Sequence, residues 1–108
     1  MDPIYLDHAA TTPMASEVLE AMGPYLTEFY GNPSSLHGFG QVAKDGIERA
    51  RQTIANALHA REDEIVFTGS GTESDNTVIK GTAHALAAKG NHIITSGVEH
   101  HAIHEPLH

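Results

Sequence analysis

Three groups of residues in this sequence have types and spacings that could do chemistry. The first is Gly69-Ser70-Gly71-Thr72-Glu73-Ser74-Asp75-Asn76. Glycines let backbone N–H groups approach an anion, and a helix starting here adds unpaired donors and the positive end of its dipole. Thr72 supplies a hydroxyl donor for a phosphate oxygen. The segment is neither a Walker loop nor a dinucleotide fingerprint, having no Gly-Lys-Ser/Thr and no G-x-G-x-x-G. The competing reading is a plain capping box, Ser70-x-x-Glu73, which starts a helix and binds nothing. Glu73 and Asp75 would repel a phosphate if they faced it.

The second group is His92, His100, His101, His104 and His108. In a helical tail, His100, His104 and His108 would share one face, a spacing that can hold a transition metal. Pro106 opposes a continuous helix there, and the candidate carboxylates are limited to Glu99 and Glu105. Surface or supporting histidines are the ordinary alternative. His100 has a separate possible use, stacking on a ligand at the C-terminal mouth of a parallel strand. The third group is Asp7-His8, where a carboxylate could orient an imidazole for proton transfer. Adjacent side chains rarely face each other, so an N-terminal arm with turn chemistry is the preferred reading. No Ser/His/Asp triad assembles.

Composition narrows the field. The chain has 108 residues, the size of one small domain, with 6 Lys+Arg against 14 Asp+Glu and a formal charge of −8. That acidity argues against nucleic acid or an anionic membrane as partner. With no cysteine, these residues hold no disulfide, thiolate metal site or cysteine nucleophile. At 40% hydrophobic and 19% charged, the sequence is globular. Its longest apolar run, Ala85-Leu86-Ala87-Ala88, is too short to span a bilayer. Met1-Asp2-Pro3-Ile4-Tyr5 lacks the basic and apolar regions of a signal peptide.

The elements that must position these groups follow from periodicity and punctuation. Thr12-Pro13 reads as an N-cap and first-turn proline, with Ala15, Val18, Leu19, Met22, Leu26 and Phe29 at helical spacing behind it. Gly23-Pro24 should kink or break that helix, and Gly31-Asn32-Pro33-Ser34-Ser35 is a loop. Ala43, Ile47, Ala50, Ile54 and Leu58 form one stripe of an amphipathic helix. Lys44, Asp45, Glu48, Arg49, Arg51 and Gln52 fill its solvated face, with Asp45 and Arg49 four apart. Glu64 to Thr68 and His92 to Ser96 read as strands. Between them a helix should begin within Thr72 to Thr77 and run to Lys89, stopped by Gly90. Strand, helix, strand is a βαβ unit with parallel strands, and parallel sheets need helices on both faces. Two strands and one crossover cannot supply that, so the expectation is the N-terminal piece of a larger α/β protein.

Four segments together resemble a known family. Tyr5-Leu6-Asp7-His8-Ala9-Ala10-Thr11-Thr12-Pro13, Gly31-Asn32-Pro33-Ser34-Ser35-Leu36-His37, Ile65 to Asn76 and His92 to Ala102 are similar to the N-terminal blocks of cysteine desulfurases. The resemblance is to the NifS/IscS-like group within the class V aminotransferase superfamily, in order and over nearly the whole chain. It implies the N-terminal portion of a fold-type I pyridoxal-phosphate enzyme: helices plus the start of a mainly parallel sheet. Residues 1–35 would be an arm, first helix and loop, and residues 36–108 the start of the large cofactor-binding domain. The implied reaction removes sulfur from L-cysteine, leaving L-alanine and an enzyme persulfide for iron–sulfur cluster assembly. The implied protein is a cytoplasmic homodimer that hands sulfur to a scaffold or other acceptor protein.

By the same resemblance, Gly71 and Thr72 hold the cofactor phosphate, and His100 stacks on the pyridine ring with a role in proton transfer. Asp7 to Thr12 and Asn32 to His37 approach the active-site entrance. Gly71 stands where relatives often carry alanine, a change the backbone contact should tolerate. The family's Schiff-base lysine, its pyridine-pairing aspartate and its persulfide cysteine all lie downstream. Lys44, Lys80 and Lys89 match no Schiff-base motif. This chain alone is therefore expected to be inactive. The alternatives are another class V enzyme, such as a selenocysteine lyase or an aminotransferase, and a His-rich metal-binding module.

Overall fold

The longest amphipathic pattern forms the longest helix. A computed structural model describes residues 3–107, and they divide between two compact units, Met1–Ile65 and Val66–His108. Among the described residues the regular elements are all helical: α1 (Ser16–Thr27), α2 (Gly38–Leu58), α3 (Gly71–Ala85) and α4 (His101–His104), with 3₁₀ turns at Glu62–Glu64 and Glu105–Leu107. None of the helices is long and apolar enough to cross a membrane.

In the first unit, α1 starts later than the Thr12-Pro13 pair predicts. Its N-cap is Ala15, whose carbonyl accepts from the Val18 and Leu19 N–H groups at 3.1 Å each. Proline's fixed φ suits an extended segment as well as a helix, so Pro13 does not commit the chain. Pro24 lies inside α1 without breaking it. The Pro24 carbonyl accepts from Glu28 and Phe29 N–H at 2.7 and 2.8 Å, and Thr27 Oγ1 donates to the Gly23 carbonyl at 3.2 Å. Tyr25 lies over α2 at Gly46, where an added Cβ would come within 2.6 Å of the ring. Arg49 donates to the Tyr25 hydroxyl at 3.2 Å instead of pairing with Asp45.

The loop before α2 is as the turn chemistry predicts. Asn32 Oδ1 accepts from Ser34 N–H, and the Asn32 carbonyl from Ser35 N–H, both at 2.9 Å. Gly40 is buried against the Ser35 and Asn32 carbonyls, leaving no room for a side chain. Along α2 only Gly40, Ala43 and Ala55 are buried; Ile47 and Ile54 stay 38% exposed. The helix is therefore right and the stripe is largely uncovered. Its C-terminus closes with His59 in the left-handed region (φ 54°) and Ala60 N–H bonded to the Ala55 carbonyl at 2.9 Å. Beyond it, Arg61 pairs with Asp63 and Glu64, while Arg51 donates to the Ile65 carbonyl.

The expected strands, Glu64 to Thr68 and His92 to Ser96, do not form among the described residues. Glu64 closes a 3₁₀ turn, and no ladder involves Ile65 to Thr68 or His92 to Ser96. A strand exists only through hydrogen bonds to a neighbour, whatever its own β-propensity. Val66 and Ile94 are 73% and 88% exposed, apolar and unpartnered. In the second unit, α3 begins at Gly71 and ends at Ala85, short of Lys89. Residues 86–89 form loose turns, with Leu86 N–H bonded to the Thr82 carbonyl and Lys89 N–H to that of Leu86. Nothing buries the last turn, and helix ends without packing fray. Helix α4 and the turn after it pack against α3, and Ala102 of α4 is buried.

Candidate functional site

The start of α3 is organised by hydrogen bonds that leave a particular set of groups unused. Ser70 is the N-cap, and its Oγ accepts from the Glu73 N–H at 3.1 Å. Glu73 turns its carboxylate back to the Gly69 N–H at 2.7 Å, one residue beyond the cap itself. The hydroxyls of Thr68 and Ser74 lie 2.6 Å apart, and both reach the Ser70 carbonyl, at 3.1 and 3.2 Å. Asn76 Nδ2 donates to the Thr72 carbonyl at 2.9 Å. The Ser70 and Thr72 carbonyls and the Glu73 carboxylate are thus held within the turn or the helix.

The donors are not. Gly71 N–H and Thr72 N–H belong to the first turn, which has no intrahelical partner for them. They and the Thr72 hydroxyl have no hydrogen-bond partner among the described residues. An added Cβ at Gly71 would meet nothing within 4 Å, so the space above it is open and an alanine fits there. Two amides and a hydroxyl, at the positive end of a fifteen-residue helix, form a donor set suited to a phosphate.

His100, later in the same unit, is the N-cap of α4. Its Nδ1 accepts from the Ala102 N–H at 3.1 Å, so the neutral ring carries its proton on Nε2. The ring is exposed, and His101 stands edge-on to it at 6.1 Å. Because α4 packs on α3, Gly71, Thr72 and His100 are carried by two helices in contact. Thr68, Ser74 and the reach of Glu73 to Gly69 were missed by sequence reasoning. Their signal was hydroxyls at 68, 70 and 74, spaced to bridge a turn into the first turn of a helix.

The other two groups resolve differently. Tyr5 donates to the Asp7 carbonyl at 2.9 Å, and Ala10 N–H bonds to the same carbonyl at 3.1 Å. The His8 ring packs edge-on against Tyr5 at 5.2 Å and makes no hydrogen bond to Asp7, so this is turn chemistry. His104 ends α4, and His108 lies outside the described residues. Among the described residues no cluster of three His, Asp or Glu side chains could hold a metal ion.

With this geometry in place, comparison with known proteins is decisive for kinship. The family described as aminotransferase class-V matches residues 4–108. The chain belongs to the class-V aminotransferase family. A class-V relative from Dictyoglomus turgidum, named cysteine desulfurase IscS, is 60% identical over 105 residues, covering 97% of this chain and 27% of the relative. One of the same name from Methanosarcina thermophila is 56% identical over 100 residues, 93% of this chain and 25% of its own length. A solved structure titled NifS-like protein superposes with a TM-score of 0.89 at 39% identity, over 96% of this chain and 29% of that one. The chain thus spans about a quarter of the length of these class-V relatives.

Proposed function

We propose that this chain is the N-terminal part of a pyridoxal-phosphate-dependent cysteine desulfurase. What carries the reading is its 60% identity to a relative of that name across 97% of its residues. The unused donors at the start of α3 support it, because their chemistry suits the cofactor's phosphate. In this reading the bound cofactor supplies an electron sink for bond cleavage at the substrate amino acid. The chain's own residues do the binding. Gly71 and Thr72 N–H groups and the Thr72 hydroxyl hold the phosphate. His100 presents its ring to the pyridine and keeps a proton on Nε2. Gly71 in place of alanine leaves those donors unobstructed.

The reaction takes sulfur from L-cysteine and leaves L-alanine and an enzyme-bound persulfide, which passes to an iron–sulfur scaffold or other acceptor protein. The working enzyme is a cytoplasmic homodimer of fold type I. Residues 36–108 begin its large domain, and the uncovered segments around Val66 and Ile94 enter its mainly parallel sheet. Residues Asp7 to Thr12 and Asn32 to His37 approach the entrance of the site.

The test is made on the full-length protein that carries this chain. It binds pyridoxal phosphate and releases sulfide from L-cysteine in the presence of a reductant. Thr72→Val weakens cofactor affinity by about 1.5–3 kcal/mol, the range for a hydrogen bond to a charged group. A protein that binds no pyridoxal phosphate, or releases sulfide no faster than free cofactor, overturns the proposal.

A further inference from the structure

A carboxylate in the first turn of a phosphate-binding helix is an electrostatic liability unless it is held elsewhere. Glu73 is such a carboxylate, and it is held: Oε2 accepts from the Gly69 N–H at 2.7 Å. Its own N–H is taken by Ser70 Oγ at 3.1 Å. The two bonds run in opposite directions across Gly69-Ser70-Gly71-Thr72 and fix the turn at both ends. The Ser70 carbonyl, which could otherwise swing toward an incoming anion, is held by the Ser74 N–H at 3.1 Å and by the Thr68–Ser74 hydroxyl pair, one of which donates to it while the other donates to its neighbour. The Gly71 N–H, Thr72 N–H and Thr72 hydroxyl are left over. The capping box and the phosphate site are therefore one device, since the cap engages the nearby acceptors together with the Gly69 and Glu73 N–H groups and leaves the Gly71 and Thr72 donors over.

Resting on the function proposed above, we infer that Glu73 is the positioning residue of the phosphate site. It acts through the reach of its side-chain oxygen to Gly69, not through its charge. Geometry separates these two. Glutamine keeps an acceptor at the same distance along the side chain and removes the charge. Aspartate keeps the charge and falls one methylene short of Gly69. Alanine removes both.

In the full-length protein, pyridoxal phosphate and the dephosphorylated pyridoxal are titrated against Glu73→Gln, Glu73→Asp and Glu73→Ala, and the phosphorus-31 resonance of the bound cofactor is recorded. Glu73→Gln keeps pyridoxal phosphate affinity within about threefold and leaves the resonance in place, whereas Glu73→Asp and Glu73→Ala weaken it by about tenfold or more. Pyridoxal affinity stays unchanged in all three, because that ligand has no phosphate to position. If Glu73→Ala does not fold, the Gln and Asp pair still decides between reach and charge. Four results overturn the assignment: Asp behaving as the unaltered protein, Gln as weak as Asp, no variant weakening the phosphate ligand, or equal losses for pyridoxal. Failure of the unaltered protein to bind pyridoxal phosphate is a different outcome, which removes the function and the positioning role together.

Discussion

His100 and His101 are neighbours of one residue type with different situations. His100 caps α4 through Nδ1, while His101 is the first residue inside the helix and exposed. Only His100 occupies the position that family resemblance places against the cofactor ring. In the full-length protein His100→Ala shifts the visible absorption of bound cofactor and lowers turnover, and His101→Ala does neither. The alanine also removes a helix cap, worth about 0.5–2 kcal/mol. His100→Asn separates the two effects, because asparagine caps well but has no ring. It restores the melting temperature and leaves the spectral change. Equal spectra for the His100→Asn and unaltered proteins would leave His100 as a cap and nothing more. The Ser70 cap and the helix start that carries Gly71 and Thr72 were legible in the sequence because they depend on residue type and local spacing. The cofactor roles of Gly71, Thr72 and His100 come instead from the family resemblance and belong to the proposal. The reach of Glu73 was not legible: its effect on an anion depends on where a flexible side chain points, and only the bond to Gly69 settles that.

At the scale of elements, α2 and the start of α3 could be read directly, since a periodic stripe and a serine cap are local signals. The start of α1 could not, because the Thr12-Pro13 pair suits extended chain as well as helix. The strand segments form no ladder among the described residues for a different reason. Their β-branched residues fit a sheet, but a ladder needs a partner, and partners are not written in the segment itself. The end of α2 carries one feature with a measurable consequence. His59 holds φ at 54°, a conformation that costs a residue with a Cβ about 1–2 kcal/mol. The Ala60-to-Ala55 bond that it permits is a Schellman closure, normally supplied by glycine. His59→Gly therefore raises stability by about 1 kcal/mol, less whatever glycine's extra freedom returns to the unfolded chain. Denaturant melts of the full-length protein check this through the transition midpoint. An unchanged or lower midpoint would mean His59 gains compensating contacts through its ring.

For the molecule as a whole, exposed area is the informative quantity. The chain exposes 9194 Å². Even two separate globules with the sizes of the Met1–Ile65 and Val66–His108 units would together expose only about 7,000 Å² by the usual mass scaling. Large apolar side chains contribute to it: Leu6, Leu36, Ile94 and Val98 are each more than four-fifths exposed. Among the described residues the buried hydrophobic side chains are Ala43, Ala55 and Ala102, too small to stabilise a domain of this length. Such a surface belongs against other protein, as expected of a quarter-length match to its relatives. The isolated 108-residue polypeptide should therefore bind a hydrophobic dye strongly, unfold without a sharp transition or self-associate. It should also be inert as a desulfurase. It has no cysteine to take up sulfur, and Lys44, Lys80 and Lys89 sit in or just beyond helices away from the Gly71 and Thr72 donors in sequence. The measurement is sulfide release from L-cysteine with added pyridoxal phosphate, set against cofactor alone in the same buffer, because free cofactor reacts slowly with cysteine. Release that rises above this control in proportion to polypeptide would show that sulfur leaves cysteine here without an enzyme thiol to receive it.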